Sequence, residues 1–313
     1  MTTSVVLGGA GFVGSHLVQE LLDSGDQVHV VDDLSSGRLE NLAAVLENEK
    51  CTFHHGDIAD DLDLRIGKVD FVYNLASPAS PPFYMNNRVK TLQAGSFGLD
   101  NAIRLALTHD ACLVHASTSE VYGDPDVHPQ SETYWGNVNP VGERSCYDEA
   151  KRFAEAYCTA FESEYQLKVR LPRIFNTYGP RLSPSDGRVV SNFVFQALSG
   201  TPLTVYGDGS QTRSFCYIED LVRGLCMLAK SDVSGPINLG NPIETTVIDL
   251  AQQILTLTSS TSEIKFVDLP SDDPVRRRPD ITRAKKELGW EPAVPLGTGL
   301  EQTIEWFRRV EHK

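Results

Sequence analysis

Two short stretches carry the side chains best suited to chemistry: His115-Ala-Ser-Thr-Ser-Glu-Val-Tyr122 and Tyr147-Asp-Glu-Ala-Lys151. The first ends an apolar run with the hydroxyls of Ser117, Thr118 and Ser119 and the carboxylate of Glu120. The second sets a phenol and an ammonium four residues apart, a spacing that puts both on one face of a helix. An unperturbed tyrosine ionises near pH ~10, so Tyr147 serves as a base at neutral pH only if positive charge stabilises its phenolate. Lys151 is spaced to supply that charge. Together the two stretches read as an active site at a strand end and on a helix.

A second signal lies at the amino terminus. The run Gly8-Gly9-Ala10-Gly11-Phe12-Val13-Gly14 follows a strand-like segment and opens a helical one, a context in which glycines let the backbone approach a pyrophosphate at a helix N-terminus. The spacing is GxxGxxG. Gly8, Gly11, Phe12, Val13 and Gly14 are therefore assigned to the cofactor. Asp32 ends the next strand about 20 residues on, where an acid bonds the adenosine ribose hydroxyls and repels a 2'-phosphate. NAD is favoured over NADP, for which only the nearby Arg38 speaks. Asp57 and Ile58, after the third strand, are placed to edge the adenine.

These residues need a frame, and the chain supplies one. Strand-like runs at 4–7, 27–31, 69–73, 111–115 and 167–171 alternate with amphipathic segments at 12–24, 87–107 and 146–164. That alternation predicts βαβ units and a doubly wound parallel sheet of Rossmann type, an α/β fold. Beyond residue 177, glycines and prolines break the chain into shorter pieces, with helical patterns at 189–199, 221–230 and 247–256. The expected division is an NAD-binding domain over 1–176 and a smaller C-terminal α/β substrate lobe over 177–313. Within 213–240, the run 235–239 is expected to return to the main sheet.

Composition narrows the class. A chain of 313 residues, 41% hydrophobic and 22% charged, can bury a core as one large α/β unit or two lobes. Its net charge of -14 argues against a nucleic-acid partner, so an anionic substrate must meet a local cluster of arginines. The six cysteines show neither zinc spacing nor a small disulfide framework, and no metal is expected. Free thiols, no basic leader and no membrane-length apolar run predict a cytoplasmic protein without a membrane partner.

Further motifs make the likeness specific. They are 75–82 (LASPASPP), 117–125 (STSEVYGDP), 128–131 (HPQS), 173–177 (RIFNT), 186–192 (DGRVVSN), 209–213 (GSQTR) and 272–280 (DDPVRRRPD). With the glycine turn and YxxxK, these resemble the UDP-glucuronate decarboxylases, or UDP-xylose synthases. These enzymes belong to the extended short-chain dehydrogenase/reductase superfamily of NAD-dependent epimerases and dehydratases. The likeness covers essentially the whole chain.

The resemblance implies that Tyr147 takes the C4 hydroxyl proton of UDP-glucuronate while hydride passes to tightly held NAD. The 4-keto uronate then loses carbon dioxide, C5 is protonated, and C4 is re-reduced to give UDP-xylose. By the same resemblance, Thr118 bonds the C4 oxygen and Ser119 a neighbouring oxygen. Glu120 orients the ring and handles a proton, and Arg277, alone among Arg276, Arg277 and Arg278, grips the carboxylate. Leu75, Ala76 and Ser77 join the cofactor side. Tyr84, Lys90, Asn176, Arg188, Val190, Ser191, Tyr206, Gln211 and Arg213 fall on the UDP-sugar side.

Two related activities share the first step. A 4,6-dehydratase needs an acid where this chain has Ser119, and a 4-epimerase needs room where it has Glu120, so the UDP-glucuronate 4-epimerase is the nearer alternative. A nucleotide-sensing protein without catalysis is the other class, against which Thr118, Tyr147 and Lys151 speak. The chain departs from the family pattern at Gly95, where an asparagine is usual. The resemblance also implies a homodimer through a four-helix bundle of the segments 87–107 and 146–164.

Overall fold

The computed structural model describes residues 2–60, 64–268 and 276–311. The first strand, β1 (Thr3–Leu7), turns its odd and even residues to opposite faces, as a strand must. Val5 and Leu7 join one apolar cluster and Val6 another, so the sheet is buried on both sides. A helix, α1 (Phe12–Asp23), leads to β2 (Gln27–Asp32) and the edge strand β3 (Cys51–His55). After β4 (Phe71–Asn74) come α2 (Pro81–Asn86), α3 (Arg88–Gly95) and α4 (Phe97–His109), then β5 (Cys112–His115) and β6 (Ser117–Thr118). The long helix α5 (Ser145–Tyr165) returns the chain to β7 (Val169–Ile174).

The strands lie parallel in the order Pro236–Leu239, β7, β5, β4, β1, β2, β3, with β6 also on β7. The order reverses between β1 and β4, and a crevice opens at such a switch point outside the strands' carboxyl ends. This is the doubly wound α/β sheet that the alternating runs predict. The strand Pro236–Leu239 is tied in through side chains as well as backbone. Asn238 Oδ1 accepts from the Tyr122 hydroxyl at 2.8 Å, and Arg173 Nη1 donates to the same hydroxyl at 2.9 Å. Arg173 also forks onto Glu155 of α5 at 2.8 and 2.7 Å. The RIFNT motif thus begins with a scaffold residue, a buried bidentate pair joining sheet to helix.

The segment expected as one helix over 87–107 is two, α3 and α4, broken at Ser96, whose ψ of -78° lies outside the ideal helical range. Gly95 stands at this break because α3 packs closely on α5: a Cβ there would lie 2.8 Å from the Ala150 Cβ. Asn101, two turns on, donates to Ile58 O at 2.9 Å and Asp60 O at 2.7 Å. It ties α4 to the loop beside the cofactor residues.

Beyond β7 the chain forms α6 (Val189–Leu198) and α7 (Ile218–Ala229), then the helix Val247–Thr258 and small sheets. Thr212–Ser214 pairs antiparallel with Glu244–Thr246 and parallel with Arg276–Arg277. The apolar core runs without a break from Val6, Val28 and Val114 of the sheet to Val190, Phe193, Leu250 and Trp290. Each such side chain, fully buried, contributes about 1.5–3 kcal/mol. Residues 272–275, the start of the DDPVRRRPD motif, lie outside the described residues. Among the described residues no helix is long and apolar enough to cross a membrane.

Candidate active site

One cavity of about 1600 Å³ runs along the carboxyl edge of the sheet. Ligand pockets are typically about 300–1,000 Å³, so this one has room for a cofactor and a substrate together. Every residue assigned a site role from the sequence lines it except Ser191. Ser191 points inward and is fully buried, and its hydroxyl donates to Arg188 O at 2.8 Å across the first turn of α6. A small polar residue in that turn serves the helix, and the motif match could not tell this from a ligand contact.

At the glycine-turn end, main chain makes the site. A Cβ on Gly14 would come within 2.1 Å of Gly8 O, so only glycine lets α1 start this close to β1. Phe12 and Val13, the first two residues of α1, line the cavity beside this turn. Asp32 Oδ2 accepts from Ala10 N and Oδ1 from Leu34 N, both at 2.9 Å. That carboxylate braces the turn, and burial raises its pKa. Lys90, assigned to the substrate from the sequence, directs its ammonium here, 2.5 Å from Asp33 and 3.4 Å from Asp57. Cradle, acid and adjoining Leu75, Ala76 and Ser77 fit a dinucleotide with a free ribose 2'-hydroxyl.

Side chains make the other end. Tyr147 is nearly buried, and its ring stacks on that of Tyr84 at 4.9 Å and 6°. Thr118 ends β6, and its hydroxyl accepts the Glu120 N–H at 3.3 Å in the turn that presents Ser119 and Glu120. Lys151 Nζ donates to Ala116 O at 2.7 Å and lies 5.9 Å from the centre of the Tyr147 ring. Burial pushes Tyr147 up to about 12 against the Thr118 hydroxyl, which lowers it, and pushes Lys151 down to about 8. Burial is the largest influence on both groups, raising the phenol and lowering the ammonium.

Glu120 is clamped between two guanidiniums. Arg277 Nη1 donates to Oε1 and Arg144 Nη2 to Oε2, and Arg277 Nη2 donates to Gly123 O at 2.9 Å. Burial would raise the Glu120 carboxyl, but Arg277 and then Arg144 hold it below its ordinary value. Of the three consecutive arginines, only Arg277 lines the cavity. Arg144 was not singled out in the sequence, although it stands three residues before Tyr147 and so shares its helical face. Further along, Arg188 forks onto Asp186, the second bond at 3.0 Å, and Gln211 Nε2 donates to Tyr206 O at 2.8 Å. Asn176, Val190 and Arg213 complete the wall.

A glycine cradle at a sheet switch point, beside a tyrosine and lysine pair, is the arrangement of a dinucleotide-dependent enzyme. The profile of the NAD dependent epimerase/dehydratase family matches residues 4–240, and the chain belongs to that family. It is 52% identical over 310 residues to UDP-glucuronic acid decarboxylase 1 of Danio rerio, covering 99% of this chain and 73% of that one. Among solved structures, the UDP-glucose 4-epimerase of Thermotoga maritima, with UDP-glucose, superposes with a TM-score of 0.91 at 31% identity. That match covers 99% of this chain and all of the other. The dTDP-glucose 4,6-dehydratase of Streptomyces venezuelae, with NAD bound, gives 0.91 at 29% identity over 99% and 98% of the two chains. NAD is the cofactor of this chain, and the glycine turn with Phe12 and Val13, Asp32 and the 75–77 segment are the residues that would hold it.

Proposed function

We propose that this protein decarboxylates UDP-glucuronate to UDP-xylose. The observation that carries the reading is the convergence of Arg277 and Arg144 on Glu120, next to Tyr147 and Thr118. Two planar cations beside a hydroxyl-ended strand suit a sugar whose C6 is a carboxylate, and the Danio rerio relative carries that activity in its name. Ser119, where a dehydratase would need an acid, is a poor proton donor. Glu120 fills space that an epimerase would need for a turning sugar.

NAD, when bound, supplies a hydride acceptor for C4 and a positive ring that favours the phenolate. The protein's own groups do the rest. Tyr147 takes the C4 hydroxyl proton, Lys151 in its ammonium form below about pH 8 supports the ionised phenol, and Thr118 orients the C4 oxygen. The C4 ketone lies β to the C6 carboxylate, so the C5–C6 bond can break with its electron pair delocalised onto the C4 oxygen. Arg277 and Arg144, exchanging Glu120 for the sugar, would hold the carboxylate so that the C5–C6 bond stands perpendicular to the plane of the C4 carbonyl. A proton then forms the new C5–H bond, and Tyr147 returns its proton to the C4 oxygen as hydride comes back.

The domain division at residue 176, a homodimer and a cytoplasmic setting belong to the same reading. Val89 and Leu92 of α3, Phe97 of α4, and Phe153 and Tyr165 of α5 are exposed apolar side chains that a second copy would cover. All six cysteines are free, in keeping with a reducing compartment. The test of the reaction is incubation with UDP-glucuronate and NAD, following carbon dioxide and resolving the sugars by mass and proton NMR. Carbon dioxide with UDP-xylose is the expected result. Conversion to UDP-galacturonate at unchanged mass would transfer the assignment to the 4-epimerase, and binding without turnover would leave only a sensor.

A further inference from the structure

Two buried carboxyl groups stand in one cluster, and their surroundings differ in kind. Glu120 has both oxygens on guanidiniums. Asp148, one residue past the reactive tyrosine, is 8% exposed, and its Oδ1 is buried without a hydrogen-bond partner among the described residues. A carboxylate oxygen held away from water without a partner makes the ionised form costly and favours the protonated acid. The groups around Asp148 are Arg144, Cys146, Tyr147 and Glu149 on its own helix or at its start, Tyr84 from α2, Glu120 from the turn after β6, and Arg277 from its strand. The Tyr84 hydroxyl is likewise buried without a partner among the described residues.

The charges sort the two acids. Burial first and the Glu120 charge second push Asp148 up to about 7, while Arg144 and Arg277 pull it down only in part. Glu120 is held low by the same two arginines. Environments that drive neighbouring acids apart assign one as the proton holder and the other as the fixed charge.

The decarboxylation has a proton to find. Tyr147 gives back to the C4 oxygen what it took from the C4 hydroxyl, so its balance is zero. Carbon dioxide leaves without its electron pair, which stays on C5 and the C4 oxygen, and the new C5–H bond takes one proton that neither step supplies. Glu120 lines the cavity and Asp148 does not. We propose that Asp148 is the proton reserve of this site: it rests as a carboxylic acid, passes its proton through water to Glu120 as a guanidinium lets go of that carboxylate, and so toward C5, and is re-protonated from solvent. It is a positioning and supply residue that acts through Glu120. The inference rests on the decarboxylase reading.

Two measurements on the NAD-loaded enzyme test it. Without substrate, the infrared band of a protonated carboxyl should bleach with a midpoint of about 7 and be missing in Asp148→Asn. With UDP-glucuronate, Asp148→Asn should release carbon dioxide and reduce the nicotinamide in the first turnover at near wild-type rate. Its return to UDP-xylose should slow by about a hundredfold. The wild-type kcat should fall as pH rises through about 7, because the acid form is the donor; Asp148→Asn should lose that limb and Asp148→Glu restore it. A missing infrared band in the wild type, an unchanged return step in the folded variant, or oxidation slowed as much as return would each overturn the proposal. Absence of carbon dioxide from the wild type would instead sink the decarboxylase reading and the supply step with it, the infrared band alone still deciding whether Asp148 holds a proton.

Discussion

The two ends of the cavity are built from different material. At the glycine turn the chain presents backbone, and the decisive fact is a missing atom: the Cβ that Gly14 lacks would sit 2.1 Å from Gly8 O. At the sugar end it presents charge, with Glu120, Arg144, Arg277 and Asp148 brought from a short turn, a helix start, a strand and a helix face. A backbone site tolerates little, because main chain cannot step aside. A charge site can redistribute, because neighbouring groups share protons and hydrogen bonds. That difference ranks the consequences of changing each end, with the tyrosine between them above both.

The largest effect is expected at the junction. Tyr147→Phe removes the hydroxyl proposed to move the C4 proton and should cut turnover by about 10³-fold with NAD still bound. Retention of near wild-type turnover would dissolve the division, since neither end would then serve this hydroxyl. At the backbone end, Gly14→Ala should strain the turn by about 2 kcal/mol and weaken NAD binding by about thirtyfold, read by calorimetry. An unaltered affinity would mean that the turn can relax and that the cradle is not rigid. At the charge end, Arg144→Lys keeps the cation but loses the planar fork. It should raise KM for UDP-glucuronate by about tenfold, with NAD affinity unchanged. A matching loss of NAD affinity would show that the two ends are coupled.

Much of the cofactor end was legible in the sequence because its signals are local. Three glycines at fixed spacing between a strand and a helix, then an acid at the next strand's end, specify a geometry within about 30 residues. The tyrosine and lysine were legible for the same reason, through the period of one helix. The sheet followed from β-branched runs, although β3 is poorly marked: its CTFHH sequence lies at an edge, where few side chains are buried. The division of 87–107 into α3 and α4 was not legible, because the break at Ser96 and the glycine before it answer to Ala150, a residue more than fifty positions away.

Residue roles at the sugar end depended on the fold. The resemblance puts Lys90 on the substrate side, and in the structure it lines the cavity with its ammonium on Asp33 and Asp57. It marks Ser191 as a contact, and the helix buries it. The sequence sets Lys151 beside Tyr147 by helical spacing, and the burial that raises the Tyr147 pKa is a property of the fold. Spacing along one element fixes which side chains share a face, so the sequence by itself determined the sheet, the cradle and the reactive pair. Which arginine meets which carboxylate, and which acid keeps its proton, depends on distance and desolvation between segments far apart in the chain. Those quantities come into being only when the sheet brings residues 120, 144, 148 and 277 together and excludes the water around them.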